Sequence, residues 1–457
     1  MIPKNKYFNV FYLFFFKHIL TCRNSLFRYI RLWVNLFAYF YYKPELPPDN
    51  PSVISQDVTV IIPTLAVDLK QLMETVESAC KLEPSEIILV ATESCLKRVS
   101  SMVKEMGMPK KIKVLSIGQA NKRRQMSRAI PEVRTKITLL LDDDVWLPGK
   151  FMKWVLAPFE DPRCGGVGTN QTRRREDPSN IFEFLGVVYL IRRNFDCTAC
   201  NWLDGGLPCL SGRAVAYRTE ILQDPDFTYG FTHETWGVDH FLNADDDNFI
   251  TRWLFWHNWK IKFQYHKECE VETTLENNRK YLNQCLRWVR SNWRSNRTSL
   301  FETGDVWIKY PWSTYAVFQT TITQWASAYD FTLFYAFYQA SAEVGYPLNS
   351  LQWWPVVAWS IFVGHWLFSK SIKLVPHFFR NPQDIRYLLV SILFGYFHNF
   401  IKLWGLLTLH ETTWGTREGA DTDDNIRMLP IDPSAKCPLE KRRVVRERGA
   451  LLPIAAV

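Results

Sequence analysis

Apolar residues along the chain fall into three zones. The first, 7–42, is aromatic and apolar: Phe14, Phe15 and Phe16 lead into Lys17 and His18, and the stretch 26–42 is interrupted by Arg28 and Arg31. Neither part holds the clean run of roughly 18 to 20 apolar residues that a span requires. Residues 1–43 therefore predict one membrane span and one interfacial helix. No small-residue cleavage site follows a short apolar core, which argues against a cleaved signal peptide. Pro44, Pro47, Pro48 and Pro51 then predict a stiff linker over 44–55.

The second zone has a different period. Val58 to Ile62 (VTVII) reads as a buried strand ending at Pro63, and Ile87 to Val90 (IILV) as another after a helical stretch. Ile112 to Leu115 and Ile137 to Leu141 (ITLLL) follow, the last running straight into three aspartates. Strands alternating with helices predict an α/β domain over 56–278 built on a parallel sheet, with ligands at the carboxyl ends of the strands. Residues 279–311 carry basic and aromatic residues at helical spacing and predict interfacial amphipathic helices.

The third zone, 312–409, returns to membrane character. Segment 313–340 is long and aromatic, and 352–369 (QWWPVVAWSIFVGHWLFS) predicts a span with Trp353 and Trp354 at its edge. Lys370, Lys373, Arg380 and Arg386 lie in 370–386, whereas 341–351 has no Lys or Arg. The positive-inside rule puts 370–386, the catalytic zone and the basic tail 410–457 in the cytosol. Two full spans satisfy that, so 387–409, with His398, Asn399 and Lys402, predicts a re-entrant or interfacial segment. The expected location is a cell membrane, crossed more than once.

Composition narrows the function classes. At 15% aromatic and 47% hydrophobic over 457 residues, the chain is too apolar to be disordered. Its net charge of +9 permits nucleic-acid binding, so the placement of the bases must decide. The ten cysteines form no small-domain framework, and the single CxxC, Cys197 and Cys200, lacks a second pair.

Three clusters carry candidate chemistry. Asp142, Asp143 and Asp144 sit at a strand's end, where alternate residues 142 and 144 can hold a hard divalent ion and a diphosphate; a solvated turn is the bland alternative. Asp245, Asp246 and Asp247 precede a Trp-rich apolar stretch, and a carboxylate there can serve as general base, or the triplet can simply start a helix. Gln284, Arg287 and Trp288 fall at i, i+3 and i+4 on one helix face, where an amide, a guanidinium and an indole can hold diphosphate and stack on a sugar. The competing reading is a surface helix suited to anionic headgroups.

In chain order, VIIPT (59–64 region), LLLDDD (139–144), CLSG (209–212), ADDDNFITR (244–252), NQCLRW (283–288) and WGTR (414–417) resemble inverting family 2 glycosyltransferases. The resemblance is strongest to the hyaluronan and chitin synthase branch and to fungal cell-surface polysaccharide synthases of that type. It implies a GT-A-like cytosolic domain with membrane helices at both ends. Pro63 and Thr64 are implied in the pocket for the nucleotide base, with Glu93 in place of the acid usual after the second strand. Lys122, Arg123 and Arg124 are implied to line the diphosphate site, together with Arg287. Asp142 and Asp144 match the pair that holds the nucleotide and Mg²⁺ or Mn²⁺. Asp246 matches the catalytic base and Asp245 its acidic neighbour. Cys209, Ser211, Gly212, Gln284 and Trp288 are implied on the acceptor side, and Trp414 and Arg417 in a gating loop.

The expected reaction is transfer of a sugar from a nucleotide donor, UDP first among them, to a growing polysaccharide with extrusion across the membrane. Single transfer to a ceramide or polyprenyl phosphate, and a catalytically inactive membrane scaffold, are the alternatives. Expected partners are the UDP-sugar, a polysaccharide or glycolipid acceptor, membrane lipids and a second copy in a homo-oligomer. Nucleic acid is not among them, because the +9 balance suits anionic sugar nucleotide and lipid.

Overall fold

The computed structural model describes residues 26–107, 111–118, 120–175, 180–237, 240–302, 305–322, 325–343 and 353–412. The four strands expected from the apolar runs are β1 (Val58–Pro63), β2 (Glu86–Thr92), β3 (Ile112–Ile117) and β4 (Ile137–Leu141). The chain continues through β5 (Val145–Trp146), β6 (Cys164–Thr169), β7 (Gln171–Arg173), β8 (Ala214–Arg218), β9 (Thr235–Trp236), β10 (His240–Phe241), β11 (Lys260–Gln264) and β12 (Val271–Thr273). Seven of these form the main sheet, in the order β11-β6-β8-β4-β1-β2-β3.

β1 to β4 are mutually parallel, but β8 runs antiparallel to both β4 and β6. The sheet is mixed, which corrects the expected all-parallel arrangement. The reason is local. The segment before β8 arrives at the carboxyl end of β4, where the Asp142 N–H donates to the Arg213 carbonyl at 2.8 Å. The next strand can only run back alongside β4.

Alternation along the central strands builds two core layers. Val58, Val60, Ile62, Leu139 and Leu141 pack with Leu72, Val76, Val99 and Phe151 on one face. Ile61, Ile88, Val90 and Leu140 pack with Met126, Phe227, Phe249 and Trp253 on the other. A strand covered on both faces reads as a continuous apolar run, which is why these strands were visible. Burying each such side chain contributes roughly 1.5–3 kcal/mol. β6 (CGGVGT) gave no such signal, because glycine is depleted in strands. Here crowding requires it: a Cβ on Gly165 would lie 2.7 Å from Trp259 Cβ, and one on Gly168 would lie 2.8 Å from Leu210 Cδ2.

A second, three-stranded sheet places β12 between β5 and β7. It folds the segment after β12 over the end of β4 and so over the first acidic triplet. The helix Ile181–Asp204, capped by Asn180 and closed by Gly205 at φ +81°, crosses behind it.

Helix 26–41 docks on this body. Asn35 donates to Asp196 at 3.0 Å and accepts from the Trp312 indole at 2.9 Å. Residues 1–25, and with them part of the expected N-terminal span, lie outside the described residues. The expected aromatic segment 313–340 is two helices, Pro311–Ile322 and Ala326–Glu343, followed by Trp353–Ser371.

The segment expected to be re-entrant or interfacial forms the continuous helix Leu388–Leu407. Together with the turn before it, Pro382–Leu407 is the one stretch among the described residues long and apolar enough to cross a membrane. Asn399 is buried and donates to Ser327 at 2.9 Å, while Leu389, Leu393, Phe397, Phe400 and Trp404 are exposed along the opposite side. Asn399 therefore faces protein, while His398 and Lys402 line a cavity on that same side. Helix Lys280–Arg297, expected at an interface, packs against this helix so closely that a Cβ on Gly405 would lie 2.5 Å from Val289 Cγ1.

Candidate active site

A cleft of about 550 Å³ opens at the carboxyl ends of β1 and β4. Both acidic triplets line it, together with Lys122, Ser211, Gly212, Gln284, Arg287 and Trp288. Residues more than 140 positions apart thus share one cavity.

Each member of the first triplet has its own partner. Asp142 receives the Lys122 ammonium at 2.7 Å. Asp143 accepts from the Thr64 hydroxyl at 2.7 Å, which fixes the loop after β1 against the loop after β4. Asp144 accepts from Thr274, just past β12, at 2.8 Å. Burial, with Asp142 and Asp143 alongside, pushes the Asp144 carboxyl up to about 6.

The second triplet starts the helix Asp246–Trp256. Asp245 has a left-handed backbone (φ +68°) and is held by Arg294 Nε at 3.0 Å, both side chains buried. Burial raises its carboxyl, but Arg294 outweighs that and holds it below the usual aspartate range. Asp246 is buried and meets Lys122 Nζ at 3.0 Å. Asp247 turns to the backbone N–H groups of Asn248 at 2.8 Å and Gly212 at 3.3 Å, and burial beside Asp246 raises its carboxyl.

Lys122 joins the triplets. Its Nζ lies between Asp142 and Asp246 and also donates to the Gly212 carbonyl at 3.3 Å. Burial alone would lower its pKa, but Asp142 and Asp246 together raise it above the usual lysine value, so it stays charged. The fit opposite is tight: a Cβ on Gly212 would lie 3.0 Å from Lys122 Nζ and 3.1 Å from Asp246 Oδ2.

The Lys280–Arg297 helix supplies the far wall. Trp288 stacks on Tyr189 with ring centroids 4.4 Å apart, and the Arg213 guanidinium lies 5.7 Å from the Trp288 ring. Gln284 Oε1 is buried without a hydrogen-bond partner, an acceptor left for a ligand. Burial lowers the Arg287 pKa. Arg294, on the same helix, also reaches the carbonyls of Leu409 and Glu411 at 3.3 and 3.1 Å, tying the segment that leads toward residue 414 to the second triplet. Trp414 and Arg417 themselves lie outside the described residues.

Several expected residues are elsewhere. Arg123 is 2% exposed and points away from the cleft, into an ion pair with Glu234 at 2.8 Å that Arg252 shares. Arg124 is buried and is not in the cleft lining. Adjacent helix residues point about 100° apart, so a basic triplet cannot send all three side chains to one site. Pro63 ends β1 inside the sheet, and Thr64 bonds to Asp143 from beneath the cleft. Glu93 is exposed in the turn after β2, away from the cleft lining. Trp146 is held by Glu74 at 3.1 Å and covered by Arg174, also outside it. The cleft in turn contains Tyr189, Arg193 and Arg213, which the motifs did not indicate. Tyr189 and Arg193 are spaced i, i+4 on one helix, and that spacing was the available signal. Cys209 lines the cleft with its thiol kept neutral by burial and by Asp247.

Among the described residues no group of three or more His, Cys, Asp and Glu side chains is set to hold a metal. Asp142 and Asp144 are two carboxylates in one cavity, and Mg²⁺ or Mn²⁺ is commonly held by one or two carboxylates plus phosphate and water. The pair fits such an ion once a diphosphate is present.

Known proteins are similar to this chain in sequence and fold. The model for "Glycosyltransferase like family 2" matches residues 55–291. A "Type 2 glycosyltransferase" of Zymoseptoria tritici is 53% identical over 408 residues, covering 89% of this chain and 85% of its own length. A "Type 2 glycosyltransferase" of Gibberella zeae is 44% identical, covering 92% and 80%. An "NDP-glycosyltransferase ltbB" of Aspergillus luteorubrus is 28% identical, covering 84% and 93%. A solved mannosyltransferase from Pyrobaculum calidifontis, in complex with GDP-Man and Mn²⁺, shares the fold at 15% identity, with a TM-score of 0.50 over 84% of this chain and 99% of that one. The chain belongs to glycosyltransferase family 2 and is a glycosyltransferase that uses a nucleotide-sugar donor.

Proposed function

We propose that the enzyme is membrane-bound and inverting, and that it moves a sugar from a UDP donor onto a growing cell-surface polysaccharide at the cytosolic face. The observation that carries this reading is the meeting of Asp142 and Asp246 at Lys122 Nζ, 2.7 and 3.0 Å away. A diphosphate-side carboxylate and a candidate base then flank one point, as a single in-line displacement needs. In that displacement Asp246 takes the proton of the acceptor hydroxyl as its oxygen bonds to the anomeric carbon and the bond to the diphosphate breaks. Lys122 and Arg287 face the charge that develops on the leaving diphosphate. Asp142 and Asp144 would hold Mg²⁺ or Mn²⁺, which neutralises that diphosphate when bound. The stacked Trp288–Tyr189 pair offers a face for the acceptor sugar.

The exposed apolar side of Leu388–Leu407 supports membrane association, and the Arg294 bonds to residues 409 and 411 support a C-terminal segment that closes on the cleft. A second reading, single transfer to a lipid acceptor, is favoured by a basic cavity beside the cleft. Purified full-length enzyme should be incubated with labelled nucleotide sugars and Mn²⁺, and the product sized. Polymer is the expected outcome; one sugar on an organic-soluble lipid would replace the first reading with the second.

A further inference from the structure

Behind the cleft, between helix 26–41, Ile181–Asp204 and Leu388–Leu407, lies a second cavity of about 490 Å³. It shares Tyr189, Arg193, Cys209 and Asn292 with the cleft, so the two meet at one wall. Seven lysine and arginine side chains line it. Four are paired, two to each carboxylate: Arg28 and Lys370 with Asp330, Arg31 and Lys373 with Asp196.

Three are not. Arg192 and Lys402 make no side-chain hydrogen bond or ion pair among the described residues. Arg193 gives one Nη to the Cys209 carbonyl at 2.7 Å, and its Nη1 is buried without a partner. The Lys402 ammonium stands against the charges of Arg31, Arg28 and Arg192, and an anion in the shared space would offset that repulsion. Two guanidinium forks and an ammonium on the wall of one cavity offer donors to the several acceptor oxygens of a phosphate. Part of the remaining wall is apolar (Leu185, Val188, Ile392, Phe394), beside polar Asn292, Asn296, Ser391 and Asn399, so a phosphate attached to a hydrocarbon can be accommodated along the apolar side.

We propose that this cavity is a second anion site, separate from the donor site, whose ligand is a phosphate group held by Arg192, Arg193 and Lys402. The phosphate comes either from a lipid headgroup or from free phosphate. The proposal requires neither reading of the acceptor.

The full chain, purified in detergent and saturated with UDP and Mn²⁺, should be titrated calorimetrically with short-chain phosphatidic acid, with the matching diacylglycerol and with inorganic pyrophosphate. Phosphatidic acid is expected to bind and diacylglycerol not. Arg192→Gln and Lys402→Met should each weaken binding about tenfold, the loss of one charge-assisted contact, while Lys402→Arg retains most of it. UDP binding should be unchanged in all three. Binding of pyrophosphate with the same dependence on the variants supports the site and assigns it a free anion. No binding to wild type by either phosphate compound, or binding indifferent to all three substitutions, overturns the proposal. Failure of wild type to bind UDP would count against the donor site alone, so the two readings fail separately.

Discussion

The two DDD triplets are identical in sequence and opposite in construction. Asp142–Asp144 follow a strand, and the turn at Asp143 and Asp144 spreads their side chains to three partners: Lys122, Thr64 and Thr274. Asp245–Asp247 open a helix, and the turn there sends Asp245 into the core toward Arg294, Asp246 to the cleft and Asp247 back onto backbone N–H groups. The first triplet concentrates like charge at the cavity wall and so suits a cation. The second divides the work, with one carboxylate fixing the backbone, one facing the cleft and one satisfying a turn. Secondary structure, not composition, sets what an acidic run can do.

The sharpest break of that comparison is Asp246→Asn. If Asp246 alone acts as base, transfer falls roughly 10³- to 10⁴-fold while donor affinity stays within a few-fold. Steady-state transfer measured beside nucleotide binding checks this. Wild-type turnover in the variant, or an equal loss from Asp247→Asn at unchanged stability, would dissolve the division of roles.

Next comes the structural member. Arg294→Ala strands the buried Asp245 carboxylate at a left-handed backbone position and should cost about 3–5 kcal/mol. Thermal unfolding should show a large drop in apparent Tm, partly restored by adding Asp245→Asn, which removes the unpaired charge. A wild-type Tm in Arg294→Ala would show that Asp245 is not held this way.

The first triplet responds to pH. Asp144 titrates near 6 against an ordinary value of 3.8. Its ionised form is thus disfavoured in the fold: the cost is absent below about pH 4 and fully present above about pH 6. Without metal, stability falls as pH rises through that window, by on the order of 2 to 3 kcal/mol. A divalent cation prefers the ionised pair and reverses the sign. The gap in apparent Tm between Mn²⁺ and EDTA samples should be small at pH 4.5 and reach roughly 5 °C at pH 7. A gap independent of pH would detach Asp144 from the metal.

Much of this was legible in sequence where a local rule governs it. β1 to β4 are continuous apolar runs because both faces are covered, and the Gln284–Arg287–Trp288 spacing fixes a shared helix face. The rest depends on tertiary crowding or connection. β6 is a strand despite three glycines because Trp259 and Leu210 press on it, and β8 is antiparallel because of where its chain enters. Arg123 and Arg124 looked equivalent to Lys122, yet helix geometry turns only Lys122 to the cleft. The polar residues of Leu388–Leu407 showed in sequence, but that Asn399 is buried against a neighbouring helix did not.

The smallest expected effect lies where the triplets come closest, at Gly212. An alanine methyl there meets Lys122 Nζ at 3.0 Å and Asp246 Oδ2 at 3.1 Å, so both must yield by a few tenths of an ångström. The Gly212 N–H to Asp247 survives the change, since alanine keeps its amide. Stability should therefore hold, and kcat should fall only about five- to tenfold, near 1 kcal/mol, with donor KM unchanged. Lys122→Met leaves a shorter, uncharged neighbour, and in that background Gly212→Ala should cost much less. A double-mutant cycle isolates the term. Full additivity would mean that Lys122 does not link the two triplets through this contact.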